Sequence, residues 1–343
     1  MGSPGVGHDM ELVLSGTSGA PVRTKIAVGT ITRNRPRMLE NLLRSYAEMH
    51  LPDDAEVDFI IVENNAEATL VGVVEDFRLQ VPGHRVTYLV EPVLGIASAR
   101  NRVLECAIEQ GYDLLTFADD DEQVDQHWLV ELLLVQRAQD LDLLGSPARL
   151  APVDDSCTFW QKLVWDAAKE ALLNLERRNA NICAQGHGDS IKLATWSWMG
   201  RLDFFRRTGL RFDASLGFAG GEDTRLYLRA KALGARTGWA PKAIVYETVP
   251  ATRLSFRYRY RRIRDQACED FKERFGESPS RATLRLLGSV LSRIYKTVLT
   301  ILTIPFHRHH ALWKITFLVA SLVGYTKGWL GFRSKHYLTT HGH

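Results

Sequence analysis

The chain has 343 residues, 45% hydrophobic and 24% charged, an ordinary globular balance that leaves room for one large domain with an appendage. The formal net charge of +3 is too small to indicate a nucleic-acid partner. The four cysteines, Cys106, Cys157, Cys183 and Cys268, form no CxxC pair, so neither zinc-site nor disulfide-framework spacing is present.

Residues 1–23 are rich in Gly and Ser, have no apolar core, and read as a disordered leader without a secretory signal. KIAVGTIT (25–32) predicts a buried strand that exits through Thr32-Arg33-Asn34-Arg35-Pro36. A helix follows, with Leu39, Leu42, Leu43 and Tyr46 on one face. VDFIIVENN (57–65) and RVTYLVEP (85–92) predict the second and third strands. GIASARNRVLECAIEQG (95–111) reads as a helix closed by Gly111. DLLTFADDDE predicts the fourth strand, and WLVELLLVQRAQ the helix after it. Apolar strands alternating with helices imply a mainly parallel α/β sheet flanked on both faces. Ligands of such sheets bind beyond the carboxyl ends of the strands. Here those ends carry Thr32-Arg33, Glu63-Asn64 and Asp119 to Glu122, which are expected to share one crevice.

The second half is less regular. Residues 151–195 read as a long insertion with helical stretches, and WSWMGRLDFFRRTG follows. Then comes the turn Gly220-Gly221-Glu222-Asp223 opening a helix, and WAPKAIVYETV (239–249) as a strand. Arginine crowds RLSFRYRYRRIRDQ (253–266), which points to an anionic substrate or surface. From about 281 an amphipathic basic helix is expected, with Leu284, Leu287, Leu291, Ile294, Val298 and Leu302 on its apolar face. The stretch 312–331 has Trp313, Tyr325, Lys327 and Trp329 near its ends, an interfacial distribution. Neither uncharged run, 297–307 or 315–326, has the roughly 18–20 residues that span a bilayer.

The acids carry most of the chemistry. Four adjacent carboxylates, Asp119, Asp120, Asp121 and Glu122, repel one another at the end of an apolar strand. Alternation puts Asp119 and Asp121 on one side, and oxygen-only ligation suits Mg²⁺ or Mn²⁺ bridging to substrate phosphates. The competing reading is a solvated acidic turn. Asp223 at a helix start could act as a general base or merely complement the helix dipole. Trp196 and Trp198 could form a stacking platform for a ligand, with Met199 and Gly200 beneath, or belong to the core. Cys183 and His187 read as structural.

In this order the motifs resemble the family 2 glycosyltransferases, inverting enzymes of the GT-A, Rossmann-like fold. VGTITRNRP, FIIVENN, GIASARN, FADDDE, GGEDTRLYLRAKALGAR and APKAIVYE resemble six successive motifs of that family, over roughly 25–250. FADDDE, GGED and VYETVP look most like bacterial exopolysaccharide enzymes of the succinoglycan type. The resemblance implies a catalytic domain over 24–250 and a C-terminal, membrane-associated helical region over 251–343. It implies that Thr32, Arg33, Glu63, Arg100, Asp119 and Asp120 bind the nucleotide-sugar, Glu63 at the uracil and Asp119 at the ribose. Asp121 would hold a Mg²⁺ or Mn²⁺ ion, Asp223 would be the base, and Gly221 and Glu222 would face the acceptor with the two tryptophans. Glu247 stands where relatives often have His, so it either ligates the ion or hydrogen-bonds. Arg259, Arg261 and Arg262 could clamp the diphosphate or meet a membrane surface. A UDP-sugar donor and a polyprenyl-diphosphate-linked acceptor at the cytoplasmic membrane face are the expected partners. No Gln-x-x-Arg-Trp motif of processive synthases is present, so single-sugar addition is expected. A sugar-phosphate nucleotidyltransferase is the rival enzyme, disfavoured because the first strand exit lacks glycine. A scaffold with a degenerate site is the non-enzymatic rival, disfavoured by the intact Asp119, Asp121 and Asp223.

Overall fold

The run TKIAVGTIT forms β1 (Thr24–Thr32), buried through most of its length in the middle of the sheet. Pro36 opens α1 (Pro36–Glu48), where its missing N–H is harmless. There follow β2 (Ala55–Glu63), α2 (Val71–Gln80), β3 (Val86–Val90), α3 (Ile96–Glu109), β4 (Leu114–Ala118), β5 (Glu122–Val124) and α4 (Trp128–Gln139). The chain then forms β6 (Leu143–Gly145), β7 (Ala148–Leu150), α5 (Phe159–Ala184), β8 (Ser197–Arg201), α6 (Leu202–Thr208) and α7 (Glu222–Ala232). It ends with β9 (Thr237–Trp239), β10 (Val245–Glu247), α8 (Phe256–Phe275), α9 (Pro279–Leu302) and α10 (Arg308–Trp329). This computed structural model describes residues 23–193, 196–216, 221–275, 279–302 and 308–332. The expected leader, apart from Arg23, and Gly220 of the glycine turn lie outside the described residues.

Seven strands form the main sheet in the order β3-β2-β1-β4-β8-β6-β9, and β5-β10-β7 form a second, small sheet. All neighbours in the main sheet are parallel except β8, which runs antiparallel to both β4 and β6. In the small sheet β10 runs antiparallel to β5 and parallel to β7. The chain passes from the large sheet to the small one three times, through 119–121, through Ser146-Pro147 and through 240–244. The expected single strand over 239–249 is thus two strands in different sheets, broken at Pro241.

Side-chain alternation along the strands feeds two cores. Ile26, Val28, Phe59 and Ile61 pack with Leu39, Leu42, Phe77, Trp128 and Leu132 of α1, α2 and α4. Ala27, Ile60 and Val62 face the opposite way, against Val103, Leu104, Phe204, Phe205 and Leu226 of α3, α6 and α7. Gly29 is required by that second layer, since a Cβ there would lie 2.6 Å from Val103 Cγ1.

Most of the insertion is one long helix, α5, followed by a 3-10 turn at Gly188–Ser190. The helix starts at a capping box in which Gln161 N donates to Thr158 Oγ1 and Thr158 N donates to Gln161 Oε1. A third cluster joins Cys157 and Val164 to Leu254, with Trp165, Phe256 and Trp313 against it. It ties α5 to the entry of α8 and the start of α10. On α9, Leu287, Leu291, Ile294 and Val298 are exposed. Arg293 instead lies over Tyr325 of α10 and donates to Ser321 Oγ. No helix among the described residues is long and apolar enough to cross a membrane.

Candidate active site

β1 and β2 pair in parallel register with Thr32 beside Glu63, and β4 runs parallel on the other side of β1. Three carboxyl ends therefore open on the same edge, as expected for the crevice. Thr32 leads into a loop turned by Asn34, whose φ of 55° is left-handed and well tolerated by asparagine. That turn sends Arg35 back toward the acidic segment.

The four acids do not alternate as a strand would, because the strand ends at Ala118 and residues 119–121 turn. Asp120 accepts from Thr32 Oγ1 at 2.8 Å and from Arg35 Nη1 at 2.7 Å. Asp121 Oδ2 accepts from the same Arg35 Nη1 and from Arg253 Nη1, both at 3.3 Å. Asp119 faces Arg100 Nη2 at 2.7 Å. Glu122 closes the turn by accepting the Asp119 backbone N–H at 2.8 Å. Asp120 and Asp121 thus share a cation, while Asp119 looks to a different element.

Crowding and burial leave Asp119, Asp120 and Glu122 hard to ionise. Burial pushes Asp120 up to about 6 against the pull of Arg35, and the charge of Asp121 adds to the rise. Burial, followed by the charges of Asp119 and Asp121, raises Glu122 well above the carboxylate range. Asp119 is raised by burial, with Arg100 opposing.

Glu247 ends β10, opposite Glu122 in the β5–β10 pair, and the next residue's N–H donates to Asp121 O at 2.7 Å. Its carboxyl is raised by burial and by Asp121, with Arg262, Arg259 and Arg253 opposing. Arg262 thus acts on Glu247 through its charge. Among the described residues no group of three or more His, Cys, Asp and Glu side chains gathers around one point as a ready ion cage. Asp121 and Glu247, close enough for the charge of one to act on the other, offer two hard oxygen donors. That donor set fits a divalent cation that keeps water and completes its shell with phosphate oxygens.

Arg100 is buried and lies between Asp119 at 2.7 Å and Glu222 Oε1 at 2.9 Å. Both carboxylates hold it charged despite its burial. Glu222 opens α7 immediately after Gly221, whose φ of 86° suits glycine. Buried and bound to Arg100, Glu222 is a strut within the protein, not the acceptor contact that the sequence suggests. Asp223 beside it is half-buried and accepts the Thr224 backbone N–H. It takes part in no ion pair among the described residues, so its free carboxylate oxygen can accept a proton from a hydroxyl brought within hydrogen-bond reach.

Two other expected residues are also placed differently. Glu63 is fully buried and accepts from Asn65 Nδ2, Thr69 N, Thr69 Oγ1, Leu70 N and the Tyr88 hydroxyl. Burial opposes its ionisation, but those donors win and hold it below the usual range, while Tyr88 rises to about 12. Glu63 therefore anchors the loop after β2 in place of meeting a base directly. Trp198 is 1% exposed and stacks on Phe117 with centroids 5.3 Å apart, so it is core and no sugar platform. Trp196 is half-buried and donates to Ser146 O at 3.2 Å. Arg33 is half-buried at the exit of β1. Sequence reading did not single out Arg35 or Arg253. Their only signal was position, one in the first strand exit and the other at the head of the arginine-rich stretch.

Residues 24–267 match the family described as "Glycosyltransferase like family 2". The chain is 30% identical over 231 residues to the succinoglycan biosynthesis protein ExoM of Rhizobium meliloti (strain 1021), covering 67% of this chain and 69% of that protein. It superposes on the mannosyltransferase PcManGT of Pyrobaculum calidifontis, solved in complex with GDP-Man and Mn²⁺, with a TM-score of 0.58 and 15% identity. That match covers 89% of this chain and 88% of the other. S. aureus TarS 1-349 aligns with a TM-score of 0.47 at 16% identity, covering 71% of this chain and 64% of TarS. The mostly parallel sheet with helices on both faces is the one expected of GT-A proteins. The chain belongs to glycosyltransferase family 2 and is a glycosyltransferase.

Proposed function

We propose that this glycosyltransferase inverts the anomeric centre, depends on a divalent cation, and adds one sugar from a nucleotide-sugar, a UDP-sugar first, to a lipid-linked saccharide. The observation that carries the reading is the convergence of Thr32, Arg35, Asp119, Asp120, Asp121 and Glu247 at one sheet edge, with Arg100 tying that edge to the helix of Asp223. Asp121 and Glu247 would hold Mg²⁺ or Mn²⁺, which neutralises negative charge on the diphosphate. Asp119 and Thr32 lie toward the nucleoside, and Asp223 takes the proton from the acceptor hydroxyl. Fixing both reactants for an in-line displacement supplies much of the rest.

The lipid-linked acceptor and exopolysaccharide role draw on the likeness to a succinoglycan biosynthesis protein. Because PcManGT was solved with GDP-Man, GDP-sugars belong in the donor panel. Association of the C-terminal helices with the cytoplasmic membrane face is supported by the exposed Leu287, Leu291, Ile294 and Val298 on a helix that also exposes Lys296. Calorimetry with UDP-glucose and UDP-galactose, with Mn²⁺, with EDTA and with Asp121→Ala, tests the donor half. Binding that needs Mn²⁺ and disappears in the variant is expected. A folded protein that binds no UDP-, GDP- or dTDP-sugar under any of these conditions defeats the reading.

A further inference from the structure

The ion pairs at the strand end differ in tightness. Arg35 meets Asp120 at 2.7 Å and Arg100 meets Asp119 at 2.7 Å, normal charge-assisted distances. Among the described residues the Asp121 carboxylate meets two cations, Arg35 and Arg253, each at 3.3 Å. Arg35 has its closer partner in Asp120, which leaves Arg253 as the second cation against Asp121. Arg253 ends the single 3-10 turn Ala251–Arg253 between β10 and α8. That turn is held by Arg253 N donating to Pro250 O at 2.8 Å and by Gln161 Nε2 donating to Ala251 O at 3.1 Å. Its charge also acts on Glu247, in company with Arg259 and Arg262. One guanidinium therefore serves both carboxylates assigned above to the cation.

We propose that Arg253 is a counter-ion which Asp121 holds until the donor arrives, and which then binds the donor diphosphate. The inference rests on the reading of Asp121 and Glu247 as cation ligands. A divalent cation and a guanidinium compete for the same carboxylate oxygen, so the ion alone binds against Arg253. A nucleoside diphosphate gives the displaced guanidinium a new partner, because the planar fork matches two phosphate oxygens. Ion and nucleotide thus become coupled through one side chain, each improving the site for the other. A residue that only positioned Asp121 would support both ligands alike. A residue that only clamped phosphate would leave ion binding untouched.

Calorimetry separates these roles, with Mn²⁺ alone and then UDP at saturating Mn²⁺ as titrants, on wild type, Arg253→Gln and Arg253→Lys. Arg253→Gln is expected to bind Mn²⁺ alone several-fold more tightly, and UDP with Mn²⁺ about tenfold or more weakly, within the usual range of coupling between sites. Arg253→Lys keeps the charge without the fork and should fall between. Circular dichroism melts identify which variants are folded, and the lysine variant carries the test if the glutamine variant is not. Weakening of both ligands, or no change in either, overturns the proposal while leaving the donor reading intact. Failure of the wild type to bind Mn²⁺, UDP or GDP removes the metal-dependent donor reading, and this inference with it.

Discussion

Arg100 on α3 and Glu222 at the head of α7 stand 122 residues apart in the chain and are joined by a buried 2.9 Å ion pair. The other side of the same guanidinium holds Asp119. Removing it leaves the buried Glu222 and the partly exposed Asp119 without their cation. Arg100→Met is expected to lose about 3–5 kcal/mol of stability in urea unfolding. Adding Glu222→Gln should recover part of that loss, since one stranded charge is then gone.

Asp223 is placed at the first turn of α7 without an ion pair among the described residues, next to a strut that fixes it. Asp223→Asn should lower kcat by about 10²–10⁴, the usual contribution of a general base, with donor affinity within about twofold of wild type. Single-turnover rates beside calorimetric donor binding check this. A variant that loses donor binding in proportion to rate would assign Asp223 to the donor.

Burial raises Asp120 from 3.8 to about 6. Between those values the folded protein retains a proton that the unfolded chain has released. Ionising Asp120 therefore opposes folding, and its contribution to stability falls as pH rises through that window. Asp119, Glu122 and Glu247 are raised in the same direction. Urea midpoints at about pH 5 and pH 7.5 should show wild type losing more stability than Asp120→Asn over that interval. An equal or larger loss in the variant contradicts the assignment.

Trp198 fills the second core between Phe117, Phe205 and Phe212. Trp198→Ala is expected to lose about 3–5 kcal/mol of stability in urea unfolding. Trp198→Phe, which keeps an aromatic ring there, should leave the acceptor KM unchanged. A raised KM in a stable Trp198→Phe protein would return this residue to the acceptor site.

The elements legible in the sequence were those with long apolar runs. KIAVGTIT, VDFIIV and LLTFA each bury nearly every side chain, and α1 has a clear apolar face. Helix α2 escaped notice because only Val74 and Phe77 of its ten residues are buried. β5, β6, β7 and β9 have three residues each, too few to establish a period. The site was legible as a set of acids, because carboxylates at a strand end conflict locally with their surroundings. Their cations were not, since Arg253 reaches Asp121 across 132 residues. Glu63 and Glu222 were misassigned for a related reason. A carboxylate that binds substrate and one that fastens a loop look alike until their donors are known.

The acidic turn is one of three places where the chain steps from the large sheet to the small one. Thr32 and Asp119 stay with the large sheet, through β1 and Arg100. Asp121 is fastened by its carbonyl to the Thr248 N–H, and Glu247 belongs to β10, so both travel with the small sheet. Tilting one sheet against the other would stretch or shorten the span between these two pairs, like opening the jaws of a caliper.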